Sequence, residues 1–491
     1  MRLAELAAGL PGASLTAAGD PEIGAVSHDS RKLGAGGLFV AIRGLAADGN
    51  EFVDAALKRG AAAVASEAPP RPGVSWLQVA DAREALALLS ARLLGHPAEA
   101  LELLGVTGTN GKTTTTYLLD AALRAAGVKS SLLGTIQYRV GERLAEAVRT
   151  TPESSDLQQL FREMVDAGSR YAVLEVSSHS LALKRVHGCR FRLAIFTNLT
   201  RDHLDFHGDM DRYFAAKRVL FDTLLREDGH ALVNAEDDRA RQLVQASRGR
   251  VWTYATDRPA DLRAEGISLS LQGTRFRALT PAGALDVATP LLGRFNALNA
   301  LAALGGALAL GLAPEAALRG IASVSLVPGR LEPVSAGQEF AVVVDYAHTD
   351  DALKNLLETL RELAPRRLIT VFGCGGDRDR TKRPLMGAVA ARLSDVAIVT
   401  SDNPRSEPPE AIIEDVLRGM TRQARAERHV LVDRREAIAR AVELAAPGDV
   451  VVVAGKGHET CQELRDRSIP FDDRQVVRDL LRRLPVKSGR A

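Results

Sequence analysis

Leu101-Glu102-Leu103-Leu104-Gly105-Val106-Thr107-Gly108-Thr109-Asn110-Gly111-Lys112-Thr113-Thr114-Thr115-Thr116 is the stretch on which the fold turns. An apolar run of strand length empties into a glycine turn, and the turn opens a run that reads as a helix start. A strand, a glycine turn and a helix N-terminus together make a phosphate cradle. Gly108 and Gly111 let the backbone turn tightly and bring its N–H groups against phosphate oxygens. Lys112 reaches the terminal phosphates, and the hydroxyl of Thr113 or Thr114 can ligate Mg²⁺. Val106 stands where the strict G-x-x-x-x-G-K-[ST] pattern has its first glycine, so the cradle is a variant of that pattern. The stretch predicts an α/β protein with an ATP-type nucleotide site.

Around this centre the chain is long enough for two to four domains, at 491 residues. Its 63 Lys and Arg nearly cancel 61 Asp and Glu, which leaves no global basic field of the kind nucleic-acid binders carry. Anionic ligands must be recognised locally. Met1-Arg2-Leu3-Ala4-Glu5 breaks its apolar run too early for a signal peptide. Phe295 to Pro314 carries no charge, but Asn296, Asn299 and several glycines make it a buried helix rather than a membrane span. Cys189, Cys374 and Cys461 are few and far apart, which excludes a disulfide framework or a cysteine metal cluster and fits the reducing cytoplasm.

Upstream of the cradle, short strands such as Leu38 to Ile42 and Ala61 to Ala65 alternate with helical patterns at Glu51 to Arg59 and Asp81 to Leu94, the latter capped by Asp81. The loops Ser27 to Arg31 and Gly44 to Gly49 are small, polar and glycine-flanked, compatible with a sugar or phosphate and equally with plain turns. Downstream, the strands Tyr171 to Val176 and Leu193 to Thr197 empty into polar segments carrying Glu175 and His203, which would face the phosphates if both strands lie in one open parallel sheet. Lys217 falls in an amphipathic helical pattern, where a lysine ordinarily belongs to the solvated face. Leu262 to Pro290 reads as an antiparallel insert, and Asn296 and Asn299 share one face of the uncharged helix.

From about Phe340 four apolar runs, Ala341 to Val344, Leu368 to Phe372, Val396 to Thr400 and Val450 to Ala454, alternate with helices, as parallel strands covered on both faces do. Their following loops hold Asp345 and His348, then Arg378, then Asp402-Asn403-Pro404-Arg405, then Gly455 to Glu459. All four loops must gather at one carboxyl edge. Arg378 and Arg405 suit carboxylates or phosphates there, and Glu459 suits an ammonium group.

Thr107 to Thr114, Glu175-Val176-Ser177-Ser178-His179, Arg201-Asp202-His203-Leu204-Asp205, Gly293 to Asn299, Pro328 to Glu332 and Asp345-Tyr346-Ala347-His348-Thr349 together resemble the motifs of the Mur ligases of peptidoglycan synthesis, in order along nearly the whole chain. Asp402 to Arg405 is similar to the members that add meso-diaminopimelate to UDP-N-acetylmuramoyl-L-alanyl-D-glutamate. The resemblance implies an α/β protein of three domains. These are residues 1–97 for the UDP-sugar, 98–333 for ATP, and a Rossmann-like unit at 334–491 for the amino acid. By position, Ser30, Leu45, Ala46 and Ala47 would face the UDP-sugar, and Thr150, Thr151, Ser177 and Arg185 the muramoyl-peptide. Gly108, Thr109, Asn110, Gly111, Lys112, Thr113 and Thr114 would bind the triphosphate of ATP, with Asn296, Asn299, Arg330, Asp345 and His348 close to the nucleotide. Arg378, Asp402, Asn403, Pro404, Arg405, Gly455 and Glu459 would hold diaminopimelate.

The resemblance further implies two Mg²⁺ ions, served by Thr113, Glu175, His203 and Lys217, the last as a CO₂-derived carbamate (N6-carboxylysine). Lys112, Lys217, His203 and Glu175 would be the catalytic set. A cytoplasmic monomer acting on small molecules, with neither nucleic acid nor membrane as partner, is expected. Leu183 stands where the family often has glutamine, and Asp350 where proline is usual. The implied reaction is amide formation through an acyl phosphate. A lysine-adding homologue, a folylpolyglutamate synthetase-like ligase and a nucleotide-driven switch are the alternatives, the last leaving the C-terminal loops without a task.

Overall fold

The computed structural model describes residues 1–44, 47–270, 272–363, 365–420 and 425–484. Its strands form three main sheets in chain order. The first, of five strands, runs Ser14–Thr16, Trp76–Gln78, Ala61–Ser66, Gly37–Ala41, Ala25–Ser27 across the sheet, parallel except for Ser14–Thr16. The helix Ala82–Leu93 packs on it and begins as expected, the Asp81 carboxylate accepting the N–H groups of Arg83 and Glu84 at 2.9 and 3.0 Å.

The second sheet has eleven strands, and Glu102–Thr107 lies in its middle between Tyr171–Glu175 and Phe191–Phe196, parallel to both. The carboxyl ends of these three strands therefore open side by side. Strand alternation sends Leu104 and Val106 to one face and Leu103 to the other, each into its own buried cluster. The first face is covered by Lys112–Ala125 and by Arg294–Ala309. The latter helix is uncharged along its buried length because almost every side is enclosed, Leu301 and Leu304 being fully inaccessible. Among the described residues no helix is long and apolar enough to cross a membrane.

Leu262–Ser270, Gly273–Thr280 and Gly283–Thr289 are antiparallel to one another as expected, but they are no separate insert. Leu262 and Arg263 pair in parallel with Tyr254 and Ala255, so the hairpins extend the central sheet.

In the third sheet Ala341–Asp345, Val450–Ala454, Leu368–Phe372 and Val396–Val399 lie adjacent and parallel, with helices on both faces. A fifth parallel strand, Glu427–Val430, completes one edge. Its polar sequence carried no strand signal, because an edge strand is largely solvated and needs no apolar run.

Candidate active site

The strand Glu102–Thr107 ends in a turn that only glycine can make. Gly108 has φ +153°, and a Cβ there would lie 1.9 Å from Thr197 Oγ1; Gly111 has φ +86°, and a Cβ there would lie 2.5 Å from Asn299 Oδ1. Val106, by contrast, is an interior strand residue paired with Glu175 and Ile195, which is why no glycine is needed there. The loop is tied to the neighbouring strand end: Thr109 N donates to Asn198 O at 2.8 Å, and Asn110 N to Asn198 Oδ1 at 2.9 Å. The helix Lys112–Ala125 then starts with left-handed Gly111 at its N-cap and no side-chain cap, so its first N–H groups and its dipole face outward as an anion site. Lys112 Nζ is folded back on Gly108 O and Thr109 O, at 2.9 and 2.8 Å. Arg330 Nη2 donates to Thr113 Oγ1 at 3.2 Å, bringing a guanidinium from beyond the central sheet onto the cradle.

These groups line a cavity of about 260 Å³ that also takes in Glu175, Asp202, His203, Asn299, Asp345 and His348. The Glu175 carboxylate accepts Thr135 N and Oγ1 at 2.8 and 3.0 Å. Burial pushes the His203 imidazole down to about 2 despite the adjacent Asp202, so its ring is neutral. Asp202 is itself buried, which would raise it. The His348 ring, with Nε2 3.7 Å from Oδ2, together with His203 and Lys382, more than offsets this and holds the carboxyl well below the usual range. Asp345 accepts Leu331 N and Ala347 N at 2.7 and 2.8 Å and is pushed up by burial.

A second cavity, of about 190 Å³, opens at the carboxyl edge of the third sheet. Arg378, Asp402, Asn403, Arg405, Gly455 and Glu459 line it, from three of the four loops, and Tyr346 and His348 from the fourth. Asp202, His203, Tyr346 and His348 line both cavities, so the two share a wall. Arg405 has φ +50°; its Nε lies 2.6 Å from Glu463 Oε2 and its Nη1 donates to Gly376 O at 2.9 Å. Glu459 is already engaged, accepting from Lys456 Nζ at 2.8 Å and from Asn403 Nδ2 at 2.9 Å.

Comparison with known proteins agrees with this layout. The family model of the Mur ligase middle domain matches residues 106–307, that of the Mur ligase glutamate ligase domain 329–457, and that of the Mur ligase family catalytic domain 22–93. A UDP-N-acetylmuramoyl-L-alanyl-D-glutamate--2,6-diaminopimelate ligase from Solibacter usitatus is 52% identical over 466 residues, 94% of each chain. The chain belongs to the Mur ligase family. It is thus one of the ATP-dependent ligases that form amide bonds in peptidoglycan synthesis. A solved ligase of the same description is 35% identical, with a TM-score of 0.66 over 94% of this chain and 95% of that one. The folylpolyglutamate synthase of Mycobacterium tuberculosis, solved with ADP and AMPPCP, has a TM-score of 0.63 at 21% identity over 76% of this chain and 92% of that one, and shares the fold alone.

In this Mur ligase Lys217 departs from the solvated-face expectation. It is 1% exposed, its Nζ donating to Gly108 O at 2.8 Å and sitting 4.5 Å from the centre of the Tyr213 ring. The helix Met210–Val219 turns that face inward because Tyr213 and Phe214 anchor the same side against the loop. Burial first, and Lys112 second, hold the Lys217 amine far below its ordinary value. Among the described residues no group of three or more His, Cys, Asp or Glu is arranged to hold a metal unaided.

Of the remaining described sites, Thr150 and Ser177 line the first cavity and the others lie outside both. Thr150 pairs with Thr135 through their hydroxyls at 3.1 Å. Thr151 Oγ1 donates to Glu175 O at 2.7 Å, and Arg185 Nη1 donates to Thr151 O at 3.2 Å while its Nη2 lies 2.7 Å from Glu153. Arg185 Nε is buried without a partner. Asn296 pairs with Asn299 at 3.0 Å. Ser30 stands half-buried in the loop that carries Lys32, whose Nζ meets Asp156 at 2.9 Å. Lys184 spans the same two sheets by pairing with Asp81 at 2.6 Å. Ala47 is exposed; Leu45 and Ala46 lie outside the described residues. Pro404 lines neither cavity. Leu183 caps the short helix Ser178–Ala182, its N–H donating to His179 O at 2.8 Å. Asp350 takes proline's place at the first position of Asp350–Glu362, a position where a carboxylate is favourable, behind the N-cap Thr349.

Sequence reasoning quoted Asp202 and Tyr346 inside motifs without giving them roles, although both line the shared wall. Lys382 and Lys456 went unassigned. A lysine in a charge-rich or glycine-flanked loop carries no mark of burial.

Proposed function

We propose that this Mur ligase couples meso-diaminopimelate to the γ-carboxylate of UDP-N-acetylmuramoyl-L-alanyl-D-glutamate in the cytoplasm, as a monomer acting on small molecules alone. The observation that carries the reading is the shared wall of Asp202, His203, Tyr346 and His348 between a phosphate cradle and a cavity armed with Arg378 and Arg405. A carboxylate activated on the cradle side meets an amine held on the other. On this reading residues 1–97 bind the UDP-sugar, 98–333 ATP and 334–491 the amino acid.

A carboxylate is a poor electrophile, so ATP first phosphorylates it to an acyl phosphate. The N–H groups at the start of Lys112–Ala125, with Lys112 and Arg330, hold the phosphates and spread the charge of the group in transfer. Asn296 and Asn299 border the nucleotide and support Gly111. The amine of diaminopimelate then attacks the acyl carbon, the tetrahedral intermediate collapses, and phosphate leaves. Neutral His203, beside ionised Asp202, presents a ring nitrogen to the reacting groups.

The donors fit magnesium, which prefers hard oxygens and completes its shell with phosphates and water: the Thr113 hydroxyl and the Glu175 carboxylate stand beside the cradle, with His203 opposite. Two Mg²⁺ ions would neutralise the developing phosphoryl charge. Lys217 fits the carbamate assignment because only an uncharged amine adds CO₂, and burial beside Lys112 favours the uncharged form of this amine. A carbamate would turn a buried amine into an anionic metal ligand.

The test is phosphate release from ATP with the UDP-dipeptide and a panel of amino acids. Release is expected only when all three substrates are present, and fastest with meso-diaminopimelate. Preference for L-lysine or glutamate would overturn the substrate assignment, and rapid ATP hydrolysis by the protein alone would overturn the ligase coupling.

A further inference from the structure

One largely buried cation in the amino-acid cavity makes no direct pair among the described residues, although the ionised Asp202 of the shared wall lies within its field. Lys382 opens the helix Lys382–Leu393, is 5% exposed and lines the second cavity, yet its Nζ forms no hydrogen bond or ion pair among the described residues. Its neighbour Arg383 shows what a settled buried cation looks like here: it meets Glu407 through both Nη atoms, at 2.8 and 3.1 Å, and Asp415 at 2.9 Å. The N–H donors of Lys382, by contrast, are unspent and open to the cavity, where an arriving anion can take them. Arg378, the cation offered by the same loop, is exposed and turns its Nη1 back onto Asp377 O at 2.9 Å. Its charge is therefore screened by solvent.

The position of Lys382 along the cavity follows from the turn that carries it and from its effect on Asp202 of the shared wall. The turn Asp379 to Lys382 is clasped by Arg201, whose Nη2 donates to Thr381 Oγ1 and whose Nε lies 3.6 Å from Asp379 Oδ2. Arg201 directly precedes Asp202 and His203 of the wall shared with the nucleotide cavity. Arg405 is held at a different wall, its N donating to Glu463 O at 3.1 Å and its Nε pairing with the Glu463 carboxylate. The incoming amine must approach from the shared wall, because the activated carboxylate forms on its other side.

We propose that Lys382 binds the carboxylate adjacent to the attacking amine, while Arg405 takes the carboxylate at the far end of the same molecule. The cavity then has a near anion site common to any α-amino acid and a far one that tells diaminopimelate from L-lysine. This division rests on the substrate reading given above.

The two sites separate in steady-state kinetics with wild type, Lys382→Met and Lys382→Arg, using meso-diaminopimelate and L-lysine at enzyme concentrations where both react. Lys382→Met is expected to raise KM for both amino acids by the same factor, ~10-fold or more, as loss of a charged hydrogen bond does. KM for ATP and for the UDP-dipeptide stays at the wild-type value, and the ratio of kcat/KM between the two amino acids does not move. Lys382→Arg, which keeps the charge, recovers part of the loss. An unchanged KM for both amino acids overturns the inference. So does a shifted preference between them, a fall in kcat with KM unaltered, or a parallel rise in KM for ATP. If wild type itself fails to use diaminopimelate, the substrate reading has failed. If it uses diaminopimelate and Lys382→Met behaves like wild type, the near anion site alone has failed.

Discussion

Arg405→Ala removes the guanidinium that faces the far end of the amino-acid cavity. In the structure that side chain is held before any ligand arrives: Nε by Glu463 at 2.6 Å and one Nη1 proton by Gly376 O at 2.9 Å. The remaining protons, both of Nη2 among them, are left for a carboxylate. The side chain is 24% exposed, so the pair it makes is partly screened, and Glu463 already balances part of its charge. Loss of such a charged hydrogen-bonded contact costs ~1.5–3 kcal/mol, or roughly 10- to 150-fold in kcat/KM for meso-diaminopimelate. L-lysine has no far carboxylate to lose, so its kcat/KM should hold within about threefold, and the preference ratio collapses by the same 10- to 150-fold. The assay is phosphate release with ATP and the UDP-dipeptide saturating, each amino acid varied in turn for wild type and Arg405→Ala. Circular dichroism confirms that the left-handed residue at φ +50° has been replaced without unfolding the loop. A variant that retains the wild-type preference for diaminopimelate refutes the reasoning, as does an equal loss with both amino acids.

Lys217→Ala should lose most activity, with partial recovery when a small carboxylate such as acetate or formate is added, because the vacated space lies beneath the cradle at Gly108. Near-normal turnover without any addition would return Lys217 to a structural role. Gly111→Ala drives a Cβ to within 2.5 Å of Asn299 Oδ1 at φ +86°, and misplacement of the cradle should cut kcat/KM for ATP ~100-fold or more; unchanged ATP kinetics would show that the loop yields without cost. The His458 imidazole is pushed from 6.5 down to about 3 by burial and then by Arg330, so between those values the unfolded chain binds a proton that the fold refuses. Its contribution to stability is complete above about pH 6.5 and is lost as pH falls towards 3. His458→Gln should show a shallower decline of Tm across that window, and an equal slope in both proteins would contradict the assignment.

Much of this molecule is written locally. The glycine turn after Glu102–Thr107, the Asp81 cap and the four apolar runs of the third sheet depend on neighbours a few residues away, where turn geometry, capping and apolar runs act. The family resemblance then implies a role for Lys217, which the helical pattern by itself assigned to solvent. Tertiary structure decided what a side chain of mixed character does. Lys217 is buried because a loop 109 residues away packs over it, and Asp202 is poised between two histidines because one of them comes from another sheet. Lys382 and Arg383 are adjacent and both cationic, yet Arg383 is held by two carboxylates while Lys382 faces a cavity with no direct partner among the described residues. Burial and partnership of a charge are set by segments that meet only on folding, so composition and periodicity carry no record of them.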